Sequence, residues 1–200
     1  FSNSEEVKKL AAALKGTGKV YATHMRSEGN QLIESLNEAI EIARAGDNSL
    51  QISHFKTAKP HNWHKIDKAI EIVENAQKEG MDILADRYPY IYSSTSLRMV
   101  VPKPYDKIDN QKLTEMLKNS EEERKKLIEL LEKRTAEEAN WDGIILVRSE
   151  LQEHKQFIGK TIEEIANMQN ISPAEAYVKI LSQNPPAAEF RQMCFCRADI

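Results

Sequence analysis

The feature that most constrains this chain is a rhythm: short apolar runs alternate with helix-spaced ones, and little chain separates them. Residues 17–23 predict a strand after the Gly-rich turn "KGTG", and His24 follows directly. Leu32, Ile33, Leu36, Ala39, Ile40 and Ala43 recur at helical spacing, which predicts an amphipathic helix over 28–45 that stops at Gly46. "SLQIS" predicts a second strand, running to His54. Ile66, Ala69, Ile70, Val73 and Ala76 mark a second helix ending near Gly80, and "MDILAD" a third strand leading into "RYPY". Such alternation implies an α/β fold with parallel strands wound right-handedly. In folds of that kind chemistry gathers at the carboxyl ends of the strands. His24, His54 and the segment from Asp86 to Tyr90 all lie there.

A histidine at a strand end is commonly a hydrogen-bonded structural residue. Two at equivalent ends of successive units admit a second reading. Neighbouring parallel strands lie about 4.8 Å apart, so both imidazoles could reach one zinc with bonds of about 2.1 Å. Two ligands do not complete a zinc site, which needs a third protein ligand, a water and a base to handle protons. His61 and His64, in "KPHNWHK", and His154 read as ordinary surface residues. From the residues alone, the metal and structural readings both stay open.

After residue 100 the rhythm breaks. "VPKPYDKID" reads as a Pro-containing linker, and residues 110–139 as a charged helical stretch with a solvated face. "WDGIILVRS" predicts a strand; "GKTIEEIANMQ" and "SPAEAYVKILSQ" predict helices. The last is well signalled, with Ser172 as N-cap, Pro173 in the first turn and Glu175 completing a capping box. Residues from about 104 to 160 read as an insertion on the α/β body.

Composition narrows the function classes. Hydrophobic residues make up 40% and charged residues 30%, as in soluble globular chains. With 28 basic and 31 acidic residues the net charge is −3, and no basic stripe with interleaved aromatics argues for nucleic acid. No apolar run approaches the roughly 18–20 residues that span a bilayer. The two cysteines, Cys194 and Cys196, exclude a disulfide-stapled scaffold by count and read as buried or free thiols. The chain opens at Phe1 and closes at "CRADI", which reads as a fragment of something longer.

Together, "VYATHMRSEG", "QISHFK", the Asn62-Trp63 and Lys65 of "NWHK", and "ADRYPYIYSST" resemble the N-acyl-D-amino-acid deacylases, or D-aminoacylases, of the amidohydrolase superfamily. The match runs in order through residues 17–96 and continues more loosely through 158–181. The resemblance implies part of a (β/α)8 TIM-type barrel, about strands 5 to 7, with a mainly helical insertion. It implies that His24 and His54 bind zinc, and that Lys56 and a tyrosine of "YPY", Tyr88 or Tyr90, meet the carboxylate of a small N-acyl-D-amino acid. The implied organisation is a partial hydrolase barrel over 1–103, a flap over 104–160 and a return to the barrel over 161–200.

The departures carry equal weight. The superfamily's first-strand HxH pair, its bridging cysteine or modified lysine, and the proton-shuttling aspartate of its last strand have no counterparts here. Asp199 reads as the approach to a following helix. No catalytic base is assigned, and the fragment by itself is expected to be inactive and to self-associate through exposed barrel edges. Arg26 and Arg98, also near strand ends, are expected in ordinary salt bridges. The alternatives are a dihydroorotase- or hydantoinase-like cyclic amidohydrolase, or a non-enzymatic helical interaction module over 104–183.

Overall fold

The structure, a computed structural model, describes residues 2–134, 140–183 and 193–199, the last stretch as backbone alone. The end of the expected charged helix, 135–139, and the thiols of Cys194 and Cys196 lie outside the described residues. The chain divides into two compact units, Phe1–Ile91 with Ala198–Ile200, and Tyr92–Arg197.

The first unit holds the predicted rhythm. Strands β1 (Val20–Thr23), β2 (Ser49–Ile52) and β4 (Ile83–Ala85) form a parallel sheet in the order β1-β2-β4. Between them lie α2 (Leu32–Gly46) and α3 (Ile66–Lys78), with α1 (Ser4–Ala12) ahead of β1. Alternation sends Leu50, Ile52 and Ile83 to one face of the sheet, where they are buried with Leu32, Leu36, Ala39, Ile40 and Ala43 of α2. Each fully buried aliphatic side chain of this kind contributes about 1.5–3 kcal/mol. The other face carries Val20, Ala22 and Leu84, with Val20 53% and Leu84 65% exposed.

Two local departures from the sequence expectation have physical causes. α2 begins at Leu32 rather than 28, because the Ser27 hydroxyl accepts from the backbone N–H groups of Gly29 and Gln31 and holds them in a turn. Gly46 lies inside the helix, which ends at Asp47 in the left-handed region. A Cβ on Gly46 would sit 2.4 Å from the Ala11 carbonyl oxygen, so glycine there permits α1 to approach α2 closely. A short strand the sequence did not signal, β3 (Thr57–Ala58), pairs antiparallel with Asp199 and Ala198. Asp199 is the last residue of the strand Met193–Asp199.

The second unit contains β5 (Tyr92–Ser96), α4 (Asn110–Asn119), α5 (Glu121–Glu132), β6 (Ile144–Arg148), α6 (Ile162–Gln169), α7 (Pro173–Ser182) and β7 (Met193–Asp199) through Arg197. β7 pairs antiparallel with both β5 and β6. The charged stretch is two helices, since Ser120 ends α4 and its side chain caps α5 by accepting from Glu123 N. Its face is only half solvated: Leu113, Leu117, Leu127 and Leu131 form a buried seam. The expected linker is also partly core, with Val101 and Tyr105 buried. Ser172 and Glu175 form the capping box that the sequence signalled. Within α7, the buried Tyr177 hydroxyl donates to the Leu97 carbonyl at 3.0 Å. Among the described residues, no helix is long and apolar enough to cross a membrane.

Candidate metal centre

The parallel register of β1 and β2 pairs Thr23 with Ile52, so both chains leave the sheet at the same level. His24 follows β1 immediately; two residues follow β2 before the chain reaches Phe55. The two imidazoles meet there: His24 Nδ1 lies 2.6 Å from His54 Nε2, with ring centroids 4.5 Å apart and planes at 71°. His24 is exposed and His54 half-buried.

His54 reaches this position through an unusual backbone. Its φ of 44° lies in the left-handed region, which costs a non-glycine residue roughly 1–2 kcal/mol. Asp86, just past the end of β4, holds it there. The Asp86 carboxylate accepts from His54 N at 2.8 Å and from Gln51 Nε2 at 2.9 Å. Its backbone closes the same corner, donating to Ile52 O at 3.1 Å and accepting from Phe55 N at 2.9 Å.

Lys56 and Glu28 complete the cluster. Lys56 is 4% exposed, and its ammonium lies 2.5 Å from Glu28 Oε2 and 3.0 Å from the His54 carbonyl. Burial pushes the Lys56 pKa below the ordinary lysine value; the Glu28 carboxylate opposes that shift and Arg87 adds to it. Glu28 Oε1 is buried, lies 2.5 Å from His54 Nδ1, and has no hydrogen bond as the side chains stand. Tyr88 lies under the lysine, its ring centroid 5.5 Å from Nζ, and stacks on Tyr90 with centroids 6.5 Å apart. Tyr90 itself is 67% exposed.

The Glu28 loop is pinned from behind. Ala58 N donates to Glu28 O at 2.7 Å, and the buried Asn62 donates to Ala58 O at 2.9 Å and to Asn30 Oδ1 at 3.1 Å. Lys65 bridges Asn62 Oδ1 and Asn30 O at 2.8 and 2.9 Å. The Asn62 and Lys65 of "NWHK" thus hold the loop rather than enter the cluster.

His24, Glu28 and His54 each offer one ligand atom, all within 4.8 Å of one another, and no comparable group occurs among the described residues. The two facing nitrogens at 2.6 Å share a hydrogen bond, one carrying the proton that the other accepts; a shared zinc, with bonds of about 2.1 Å, would set them about 3–4 Å apart. The donor set of two imidazoles and a carboxylate suits zinc, and the orphaned Glu28 oxygen marks a site with room for a further positive partner.

Every site residue read from the sequence falls in this neighbourhood. Glu28 was missed, because the helix reading over 28–45 absorbed it; its place four residues after His24 in "HMRSEG" was the available signal. Arg26 pairs with Glu38 at 2.7 Å, as expected. Arg98 forms no such bridge among the described residues and donates to the carbonyls of Tyr105 and Ile108. His154 is 1% exposed rather than on the surface, its ring held by Ser149 Oγ at 2.8 Å and Gln183 Oε1 at 2.9 Å.

The fold matches that of a segment of two solved deacylases. The chain superposes on a zinc- and inhibitor-bound N-acyl-D-glutamate deacylase from Bordetella bronchiseptica with a TM-score of 0.65 at 18% identity, covering 100% of this chain and 32% of that one. It superposes on a D-aminoacylase described as defining a novel subset of amidohydrolases with a TM-score of 0.60 at 22% identity, covering 99% and 32%. In sequence, the chain is a relative of the N-acyl-D-amino-acid deacylases. It is 30% identical over 109 residues to N-acyl-D-glutamate deacylase of Alcaligenes xylosoxydans xylosoxydans, 54% of this chain and 22% of the relative. It is 33% identical over 97 residues to D-aminoacylase of the same organism, 48% and 20%. The chain thus spans about a fifth of the length of these curated relatives. No protein-family model matches it.

Proposed function

We propose that this chain is the metal-binding section of a zinc-dependent N-acyl-D-amino-acid deacylase, an enzyme that hydrolyses the amide bond of its substrate. The observation that carries the proposal is the meeting of His24 Nδ1 and His54 Nε2 at the ends of adjacent parallel strands. The sheet is read as part of a (β/α)8 barrel, about strands 5 to 7. Its uncovered face, with Val20 and Leu84 exposed, supports that reading, since a closed barrel would turn this face inward. Residues 104–160 are read as the flap and 161–200 as the return to the barrel.

In this reading His24 and His54 hold the zinc, which when bound polarises the scissile carbonyl and acidifies a water. Lys56 supplies a cation for the free carboxylate of the amino acid, and Tyr88 and Tyr90 supply hydroxyl donors beside it. Burial of Lys56 among Glu28, His54 and Tyr88 fixes the ammonium on one side of the site, which lets a carboxylate at one end of the substrate set the register of the amide. No residue of the cluster is assigned as the base that moves the proton to the leaving amine.

The test is hydrolysis of N-acetyl-D- and N-acetyl-L-amino acids by the whole protein, before and after chelation and zinc return. Zinc-restored hydrolysis of the D series, lost in His54→Ala, is the expected result. Preferential cleavage of cyclic amides would assign it to the cyclic amidohydrolases. Hydrolysis indifferent to zinc and to both histidines would leave the cluster structural.

A further inference from the structure

Asn62 is 1% exposed, and an amide buried that far is costly unless its polar atoms are bonded. Both of them are. Nδ2 donates to the Ala58 carbonyl at 2.9 Å and to Asn30 Oδ1 at 3.1 Å, while Oδ1 accepts from the Lys65 ammonium at 2.8 Å. An ammonium on one side and two acceptors on the other fix which way the amide faces. Lys65 also donates to the Asn30 carbonyl at 2.9 Å, and His61 Nε2 meets Asn30 Oδ1 at 2.8 Å. The amide thus ties together two segments remote in sequence, residues 28–30 and residues 57–58. The Ala58 N–H closes the same join by donating to the Glu28 carbonyl at 2.7 Å.

Those two segments carry a pair on which the site depends. Glu28 heads the first, and Lys56 directly precedes the second. Their side chains meet at 2.5 Å, and the ammonium also donates to the His54 carbonyl at 3.0 Å. The place of the ammonium therefore follows the separation of the two backbones, which the Asn62 amide fixes. A fully bonded buried network holds one arrangement, where apolar packing alone tolerates several. We infer that Asn62 is a positioning residue: it locks the Glu28 loop to Ala58, and so sets where the Lys56 ammonium stands and how tightly the site takes a carboxylate. The carboxylate part of this inference rests on the function proposed above; the placement of Lys56 does not.

The experiment uses the whole protein and its Asn62→Asp variant, which keeps the side chain's size and the acceptor for Lys65 but removes both donated bonds. Acetylation by N-hydroxysuccinimidyl acetate, read residue by residue in peptide mass spectra, measures how open each lysine is. In the wild type, buried Lys56 is expected to react slowly beside the exposed Lys68 and Lys125. Asn62→Asp is expected to raise the rate at Lys56 several-fold and leave the other two unchanged. Lys65→Met, which takes the ammonium out of the same network, is expected to do so to a smaller extent, and serves where Asn62→Asp does not fold. In parallel, hydrolysis is followed on the N-acetyl-D-amino acid that the wild type cleaves best. Asn62→Asp is expected to raise KM by about 10-fold, the scale of one hydrogen bond to a charged group, with kcat changed far less. Lys56 that stays protected in both variants, or a loss confined to kcat, overturns the assignment. Wild-type protein that cleaves none of these substrates, while Asn62→Asp still opens Lys56, keeps Asn62 as the residue that places the ammonium and removes the deacylase reading instead.

Discussion

The two units solve the burial problem in opposite ways. The second unit stabilises itself with a continuous apolar core, in which Leu97, Leu117, Leu127, Leu131, Leu146 and Tyr177 are wholly enclosed. Two of its buried polar side chains are fully met: His154 has a partner on each ring nitrogen, and the Tyr177 hydroxyl finds a carbonyl. The first unit has a smaller apolar core under its sheet and buries Lys56, Thr57 and Asn62 beside the strand ends. It also holds His54 and Lys59 at positive φ and leaves Glu28 Oε1 without a donor. The left-handed backbone of His54 and the buried Glu28–Lys56 pair with its orphaned oxygen gather at one corner and mark it as functional, whereas the partners of His154 and Tyr177 mark structure.

The largest expected effect lies in the apolar unit. Leu127→Ala removes a fully enclosed side chain from the seam of α5 and should cost about 2–5 kcal/mol in denaturant unfolding. A loss below about 1 kcal/mol would show that this core is looser than its burial implies. Next in size is Asp86→Ala. It removes the acceptor of His54 N and should cost about 1–3 kcal/mol while weakening zinc uptake, because only the backbone bonds to Ile52 and Phe55 then hold that corner. Stability lost with zinc binding intact would break the link between that corner and the metal. Ser172→Ala, which removes the N-cap of α7, should cost about 1 kcal/mol and leave zinc binding as it was.

The smallest effect is a pH dependence in the polar unit. Burial lowers the Lys56 pKa below 10.5, so between the folded value and 10.5 the unfolded chain holds more protons than the folded one. Stability contributed through this group therefore rises with pH across that window. Lys56→Met should flatten the rise; an unchanged pH profile in the variant would show that Lys56 is not the group responsible.

The sequence disclosed what depends on neighbouring residues. The alternation of periods located β1, α2, β2, α3 and β4, and the Ser172, Pro173 and Glu175 signals located α7, because strand, helix and cap preferences are written locally. The histidine pair was legible for the same reason, since each imidazole ends its own βα unit. Glu28 was not, because its role depends on residues 54 and 56, reached only once β1 and β2 pair; locally it looks like the start of a helix. His154 misled for a matching reason: its burial comes from partners at 149 and 183, the second remote in sequence. The charged stretch concealed its buried leucine seam, because a helix of mixed charge shows its apolar side only against a partner.

The most direct test of the central claim is a calorimetric zinc titration of the full chain beside His24→Ala and His54→Ala, with folding verified for each. The account predicts one zinc per wild-type chain and its loss in both variants. Wild-type protein that binds no zinc, or variants that bind it equally well, would contradict the claim and return His24 and His54 to a hydrogen-bonded pair closing the sheet.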